Sequence, residues 1–227
     1  LDLQLRVVRS SPDDELVRAA GHAALRLANT RARLEVVEST LTPLSVAQGA
    51  RPVFRRLLLP VYEAEVGMGV DRVALGKRAA KVLVETLFEG DAGSKRRALH
   101  LLEQLRPEAA ARPLATFAAQ EGDGELRARA LVARAAIPKP LQASEIEPLL
   151  ASPDRRVRLA SAWAVHRLGP ESLRAGLLDA EDPAVRALAA LSFAARSNAH
   201  VASTLASRFA KDMNAEVKMA ASIALGR

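Results

Sequence analysis

The 227-residue chain contains no cysteine, which removes disulfides, thiolate metal sites and thiol nucleophiles from consideration. Without thiols the compartment is not fixed by redox chemistry, and the cytoplasm is the default expectation. Aromatic residues make up only 3% of the chain. One Trp, one Tyr and five Phe offer little from which to build stacking platforms for single strands or pockets for extruded bases. No run reaches the roughly 20 apolar residues of a membrane-spanning helix. The start, Leu1-Asp2-Leu3-Gln4-Leu5-Arg6, lacks the basic-then-apolar order of a secretory signal, so no membrane insertion is expected.

Reactive constellations are missing as well. No Gly-x-Ser-x-Gly elbow occurs, Gly67-Met68-Gly69-Val70 lacks the third glycine of a dinucleotide loop, and Gly76-Lys77-Arg78 lacks the rest of a phosphate loop. Glu63 and Glu65, two apart, point to different sides of a helix and make a poor acid/base pair. His22, His100 and His166 all fall on second helices of the pattern described below, but none has the His-x-x-x-His or His-Glu spacing of a metal site. The expectation is a protein without catalytic residues, metal or cofactor.

What the chain does have is Ala, Leu and Val in quantity, within an apolar content of 49%, and these suit closely packed helices. It also has a phrase that recurs. Ser152-Pro153-Asp154-Arg155-Arg156-Val157-Arg158, Asp182-Pro183-Ala184-Val185-Arg186 and Asp212-Met213-Asn214-Ala215-Glu216-Val217-Lys218 each precede an Ala-rich run, and Gly122-Asp123-Gly124-Glu125-Leu126-Arg127 is a fainter copy. The apolar-then-basic pair recurs at Leu126, Val157, Val185 and Val217, at spacings of 31, 28 and 32 residues. Periods of about 20–50 residues mark stacked supersecondary units.

Each unit reads as a first helix, a turn with Pro or Asp, and a second helix. Glu145 to Leu150 is a short helix, Ser152-Pro153-Asp154 a cap with a proline suited to an early helical position, and Val157, Ala160, Trp163, Ala164 and Leu168 keep the 3.6-residue period. Gly169-Pro170 ends that helix. Further pairs follow through Val185 to Phe193 and Val201 to Leu225. Upstream the phrase weakens. Asp91 to Leu105 keeps the spacing but has Lys95 in the apolar position, Val70 to Phe88 has the amphipathic set Val73, Ala80, Leu83, Val84, Leu87, Gly67-Met68-Gly69 predicts a bend, Pro43, Pro52 and Pro60 break or start helices, and Arg31 to Ser39 predicts another helix. Residues 31–90 are therefore expected to be irregular. The chain begins at Leu rather than Met and stops where a repeat helix finishes, without the polar cap that arrays use at their ends, and it reads as a segment of a longer protein.

The Asp-Pro turn, the Val-Arg dipeptide and the Ala-rich helix resemble the HEAT-repeat family in its short bacterial form, over residues 122–226 and again at Ser11-Pro12-Asp13-Asp14-Glu15-Leu16-Val17-Arg18-Ala19-Ala20. The resemblance implies an all-α, right-handed α-α superhelix of about five to seven helical pairs, forming one domain over 1–227. It implies a concave face lined by second helices, acting as a non-catalytic scaffold for a protein partner with an acidic segment.

The charge, +7 with only six lysines among 33 bases, supplies candidate contacts on that face. They are Arg127, Arg129, Arg155, Arg158 and Arg186, with Arg156 turned outward. The same resemblance implies a competing role for the base after the apolar residue, in which Arg127, Arg158, Arg186 and Lys218 pair with turn acids of neighbouring units. Two alternatives remain: nucleic-acid binding by the basic face, and a HEAT-like lyase or DNA glycosylase with a pocket beside Trp163 or Tyr62. Trp163 sits at an expected buried position, which weakens the second. The oligomeric state is not legible.

Overall fold

The computed structural model describes residues 52–194 and 199–226. All regular structure there is helical, in eleven α-helices and one 3₁₀ turn, with no strand among the described residues. The chain falls into two compact units, up to Ala110 and from Ala111 onward. The expected helix at Arg31 to Ser39, the helix boundary expected at Pro43 and the early copy of the phrase at Ser11 lie outside the described residues.

In the first unit, α1 (Pro52–Gly67), α2 (Arg72–Glu89) and α3 (Ala92–Leu105) pack on one another. Pro52 starts α1 as expected, but Pro60 neither breaks nor starts a helix: α1 runs through it. A mid-helix proline forfeits a hydrogen bond. Here Leu58, Leu59, Val61 and Tyr62 around it are fully buried, each such side chain worth roughly 1.5–3 kcal/mol, so packing outweighs the lost bond. The predicted bend is present, with Gly69 in the left-handed region at φ 74°. Asp71 and Asp91 cap α2 and α3 by accepting from the amides of Val73 (2.9 Å) and Ser94 (2.8 Å). Leu83 and Leu87 are buried as the spacing predicts, whereas Val73, in the first turn of α2, is exposed. Gly76 faces the end of α3, where an added Cβ would stand 3.1 Å from the Leu105 carbonyl oxygen, so the two helices meet through the missing side chain.

The second unit contains α4 (Ala111–Gln120), α5 (Gly124–Ala136), α6 (Ala143–Leu150), α7 (Arg155–Leu168), α8 (Glu171–Leu177), α9 (Pro183–Leu191), α10 (Ala199–Lys211) and α11 (Ala215–Leu225). The recurring phrase now has a physical meaning at each position. Leu126, Val157, Val185 and Val217 are all buried and anchor α5, α7, α9 and α11. Three residues earlier stands the N-cap, Asp123, Asp154, Asp182 or Asn214, whose side chain accepts from the amide two residues on at 2.8, 2.8, 3.0 and 2.9 Å. Five residues before the anchor, Glu121, Ser152 and Asp212 accept from the N-cap amide at 3.2, 3.3 and 2.9 Å, which folds the turn. Pro183 occupies the first turn of α9 as expected, but Pro153 precedes its cap and lies outside α7.

The anchored helices pack in series, α5 on α7, α7 on α9 and α9 on α11, while α4, α6, α8 and α10 pack beside them. Alanine makes this approach possible. In one apolar cluster Ala189, Ala190 and Phe193 of α9 and its C-terminal end meet Ala220, Ala221 and Ala224 of α11, with Leu178 and Leu205 closing it. Gly124, the first residue of α5, lies so close to the Asp154 carboxylate that a Cβ there would overlap it.

Candidate functional site

The five arginines singled out by sequence all lie on the anchored helices, and all bond within the protein. Arg186 donates from Nε and Nη2 to Asp212 (2.7 and 3.1 Å) and from Nη1 to the carbonyls of Ala180 and Glu181 (both 2.8 Å). Arg158, one position after its own anchor, does the same with the carbonyls of Ser152 (2.9 Å) and Pro153 (3.0 Å), and its Nη2 stands 3.9 Å from Asp182. Arg127 donates to the Ala118 carbonyl at 2.9 Å. The first base after the anchor thus holds the turn in Arg158 and Arg186, whereas Arg127 ties α5 to the last turn of α4; in Arg186 it also ties one anchored helix to the next turn.

Arg155 reaches across to the following cap, Nε to Asp182 at 2.8 Å, and Arg129 pairs with Glu125 one turn back at 3.0 Å. Arg156 folds onto its own cap, Asp154. Exposure separates the set: the side chains of Arg129 and Arg155 are 53% and 64% exposed, against 30% for Arg158 and 19% for Arg186. Arg129 and Arg155 can trade a rim pair for a ligand at small cost. Arg186 cannot, because two carbonyls and a half-buried carboxylate would lose their donor.

These pairings shift proton equilibria. The Arg155 hydrogen bond holds the Asp182 carboxyl below its ordinary range, and Arg186 does the same for Asp212. Arg156 likewise lowers Asp154.

A groove of about 670 Å³ opens between the turns that precede α9 and α11, lined by Leu178, Asp179, Glu181, Lys211 and Met213 with the Arg186–Asp212 pair. Three carboxylates against two bases leave it without the positive excess that an acidic ligand would need.

The remaining candidates are dispersed. Glu63 pairs with Arg97 of α3 and Glu65 with Arg78 of α2, as two residues on different sides of α1 must. His100 is exposed on α3 beside Gln104, His166 lies on α7 in the other unit, and His22 lies outside the described residues. No group of three or more metal-ligating side chains occurs among the described residues. Trp163 is half-buried rather than buried, stacked on His166 with ring centroids 5.3 Å apart and with the Arg167 guanidinium 5.8 Å above its ring. Burial, then the charges of Arg174 and Arg167, push the His166 pKa down against the opposing Leu188 backbone, and its Nδ1 is buried without a hydrogen bond.

Two arginines that the sequence reading passed over turn out to be structural. Arg134 is buried and donates to the carbonyls of Lys139 (3.0 Å) and Pro140 (2.9 Å), pinning the α5–α6 connection; Arg174, also buried, donates to Val165 at 3.2 Å, near the end of α7. The signal for Arg134 was present, since Leu126, Ala130 and Arg134 follow one another at four-residue steps on a buried face.

The fold and site so far define an all-helical protein whose second unit is a series of anchored helices fastened by arginine. Set against known proteins, the chain matches no family model and no curated sequence. No described helix is long and apolar enough to cross a membrane.

Proposed function

We propose that this protein is a non-catalytic interaction scaffold of the HEAT-like solenoid class, acting in the cytoplasm and binding a protein partner through its Arg-bearing face. The observation that carries the reading is the serial packing of α5, α7, α9 and α11, each introduced by the same side-chain cap and buried anchor. Such a series grows by adding units and offers an extended surface rather than an enclosed pocket. Of the five arginines, Arg129 and Arg155 are the partner contacts, because they keep most of their surface in water; Arg158 and Arg186 hold the turns, and Arg127 the end of α4, from which that surface is presented.

The test is the double variant Arg129→Gln, Arg155→Gln in the full chain, titrated at low salt with an Asp/Glu-rich helical peptide and, separately, with a 20-base-pair DNA duplex. The expected result is peptide binding by the parent protein and a loss of about tenfold or more in the variant, with stability to thermal unfolding lowered by no more than the roughly 0–1 kcal/mol of each exposed ion pair. Duplex binding with a steep salt slope and no peptide binding would replace the scaffold reading with nucleic-acid recognition.

A further inference from the structure

The turns that introduce α5, α7, α9 and α11 share one plan, so each position of the α9 turn can be compared with its counterparts. Five residues before the anchor the other three turns carry Glu121, Ser152 and Asp212, whose side chains accept from the N-cap amide. The α9 turn has Ala180 there, with no side-chain acceptor. Two residues before the anchor, Gly124 lies against the Asp154 carboxylate, and Arg155 bridges to Asp182 from Nε at 2.8 Å. Those two steps of the series are closed at this level. Pro183 holds the same place before α9 and has nothing to donate. Between its turn and the next, the groove of about 670 Å³ stands open. Two departures from the plan thus coincide with one opening, and a local rule broken in a single copy is where a functional site is to be sought.

The same turn also changes its charge. Six and four residues before the anchor it carries Asp179 and Glu181, where the other turns have Gln120 and Gly122, Ala151 and Pro153, or Lys211 and Met213. Both carboxylates belong to exposed residues at the groove. Arg186 holds Glu181 only by its backbone carbonyl, and the Glu181 carboxylate has no partner among the described residues. Asp212 and Arg186 satisfy each other, which leaves two acids against Lys211 in a chain whose net charge is +7. Beside the acids the lining is apolar: Leu178 is buried, and Met213 of the facing turn is 94% exposed. Carboxylates next to apolar surface match a long aliphatic stem that ends in a planar cation, because the methylenes cover the one while the forked donors reach the other.

We propose that this groove receives an arginine side chain from a basic segment of a partner protein, closing from outside the step that Arg155 closes from within one unit earlier. The guanidinium lies against Glu181 and Asp179, and its stem against Met213. The proposal rests on the α9 turn and does not depend on Arg129 and Arg155 as contacts for an acidic partner.

The test titrates the full chain at low salt with a labelled Gly/Ser peptide bearing two arginines, and with the same peptide bearing glutamines instead. The arginine peptide is expected to bind about tenfold or more tighter than the glutamine peptide. Pro183→Arg supplies the missing bridge from within and weakens that binding by about tenfold or more, whereas Pro183→Ala, which removes the proline but offers no cation, leaves it unchanged. Glu181→Gln weakens it by about threefold or more without changing thermal unfolding, because the carboxylate has no partner in the fold. In the bound chain, amide exchange slows in the turns at 179–182 and 211–214 and not in α5. Absent or equal binding of the two peptides overturns the proposal. So does a Pro183→Arg chain that binds as the parent does, a loss in Pro183→Ala as large as in Pro183→Arg, binding indifferent to Glu181→Gln, or protection that falls outside those two turns.

Discussion

Arg186 spends four hydrogen bonds inside the protein, two on Asp212 and two on carbonyls of its own turn, and so marks the difference between a basic residue and a binding residue. Asp212→Asn leaves the guanidinium in place but takes away its counter-charge, and is expected to cost roughly 1–3 kcal/mol in denaturant unfolding. The acid limb of stability follows from the same contacts. Folding lowers the pKa of Asp182 and Asp212, so their contribution is complete above the ordinary carboxylate range, about 3.9, and is lost as pH falls through the lower folded values. A melting profile is therefore flat near neutrality with respect to these groups and drops below about pH 4, and the drop is shallower in Asp212→Asn. His166 acts higher on the scale. Its folded pKa lies below the unfolded value of about 6.5, so the neutral ring stabilises the fold above that pH and the benefit fades as pH falls. His166→Gln should flatten stability between pH 7 and 5, as read by thermal unfolding at fixed salt. At this scale the sequence was partly legible. The base after the anchor could be read as a stack residue, because a basic side chain sits at the same place in every copy. Arg134 could have been placed inside by its register with Leu126 and Ala130, whereas nothing around Arg174 announces that its guanidinium will be buried and given to a carbonyl.

Among the elements, the anchored helices of the second unit were legible because cap, anchor and alanine pattern agree with one another in each copy, and agreement between local signals is what makes a segment fold one way. The elements that departed from expectation are those where packing overrode a local rule: Pro60 inside α1, Val73 exposed in the first turn of α2, Trp163 half-buried under Arg167. The caps provide a direct test. Asp182→Ala removes the N-cap of α9 and the acceptor of Arg155 together, and is expected to cost about 1–2 kcal/mol. Glycine provides another. Gly→Ala in a helix ordinarily gains up to about 1 kcal/mol, and Gly176 in α8, with nothing near a built Cβ, should receive that gain as a rise of a few degrees in melting temperature. Gly124→Ala should not, because its methyl group would displace the carboxylate that caps α7.

For the whole molecule, the sequence marks the interval 31–90 as irregular, and the contacts divide the chain at Ala110, just past that interval. What repeats lies in the second unit; the described part of the first is three helices packed on one another. A series of nearest-neighbour contacts is held most firmly where a helix has neighbours on both sides. Amide exchange at native conditions should therefore be slower in α7, between α5 and α9, than in α11. The proposed function was legible only as a class, because binding faces are made of exposed side chains, and exposure is settled by packing that no single residue type encodes.

The spacing between anchors varies from 28 to 32 residues although every anchor stands three residues after its cap. The variation is taken up between each anchor and the next cap, a stretch that includes flanking helices of 8, 7 and 13 residues in α6, α8 and α10. The ladder of anchored helices is thus insulated from length changes in its flank. That flank is where foreign loops can be grafted: a short insertion at exposed Gly176 would leave the register of α7, α9 and α11 undisturbed.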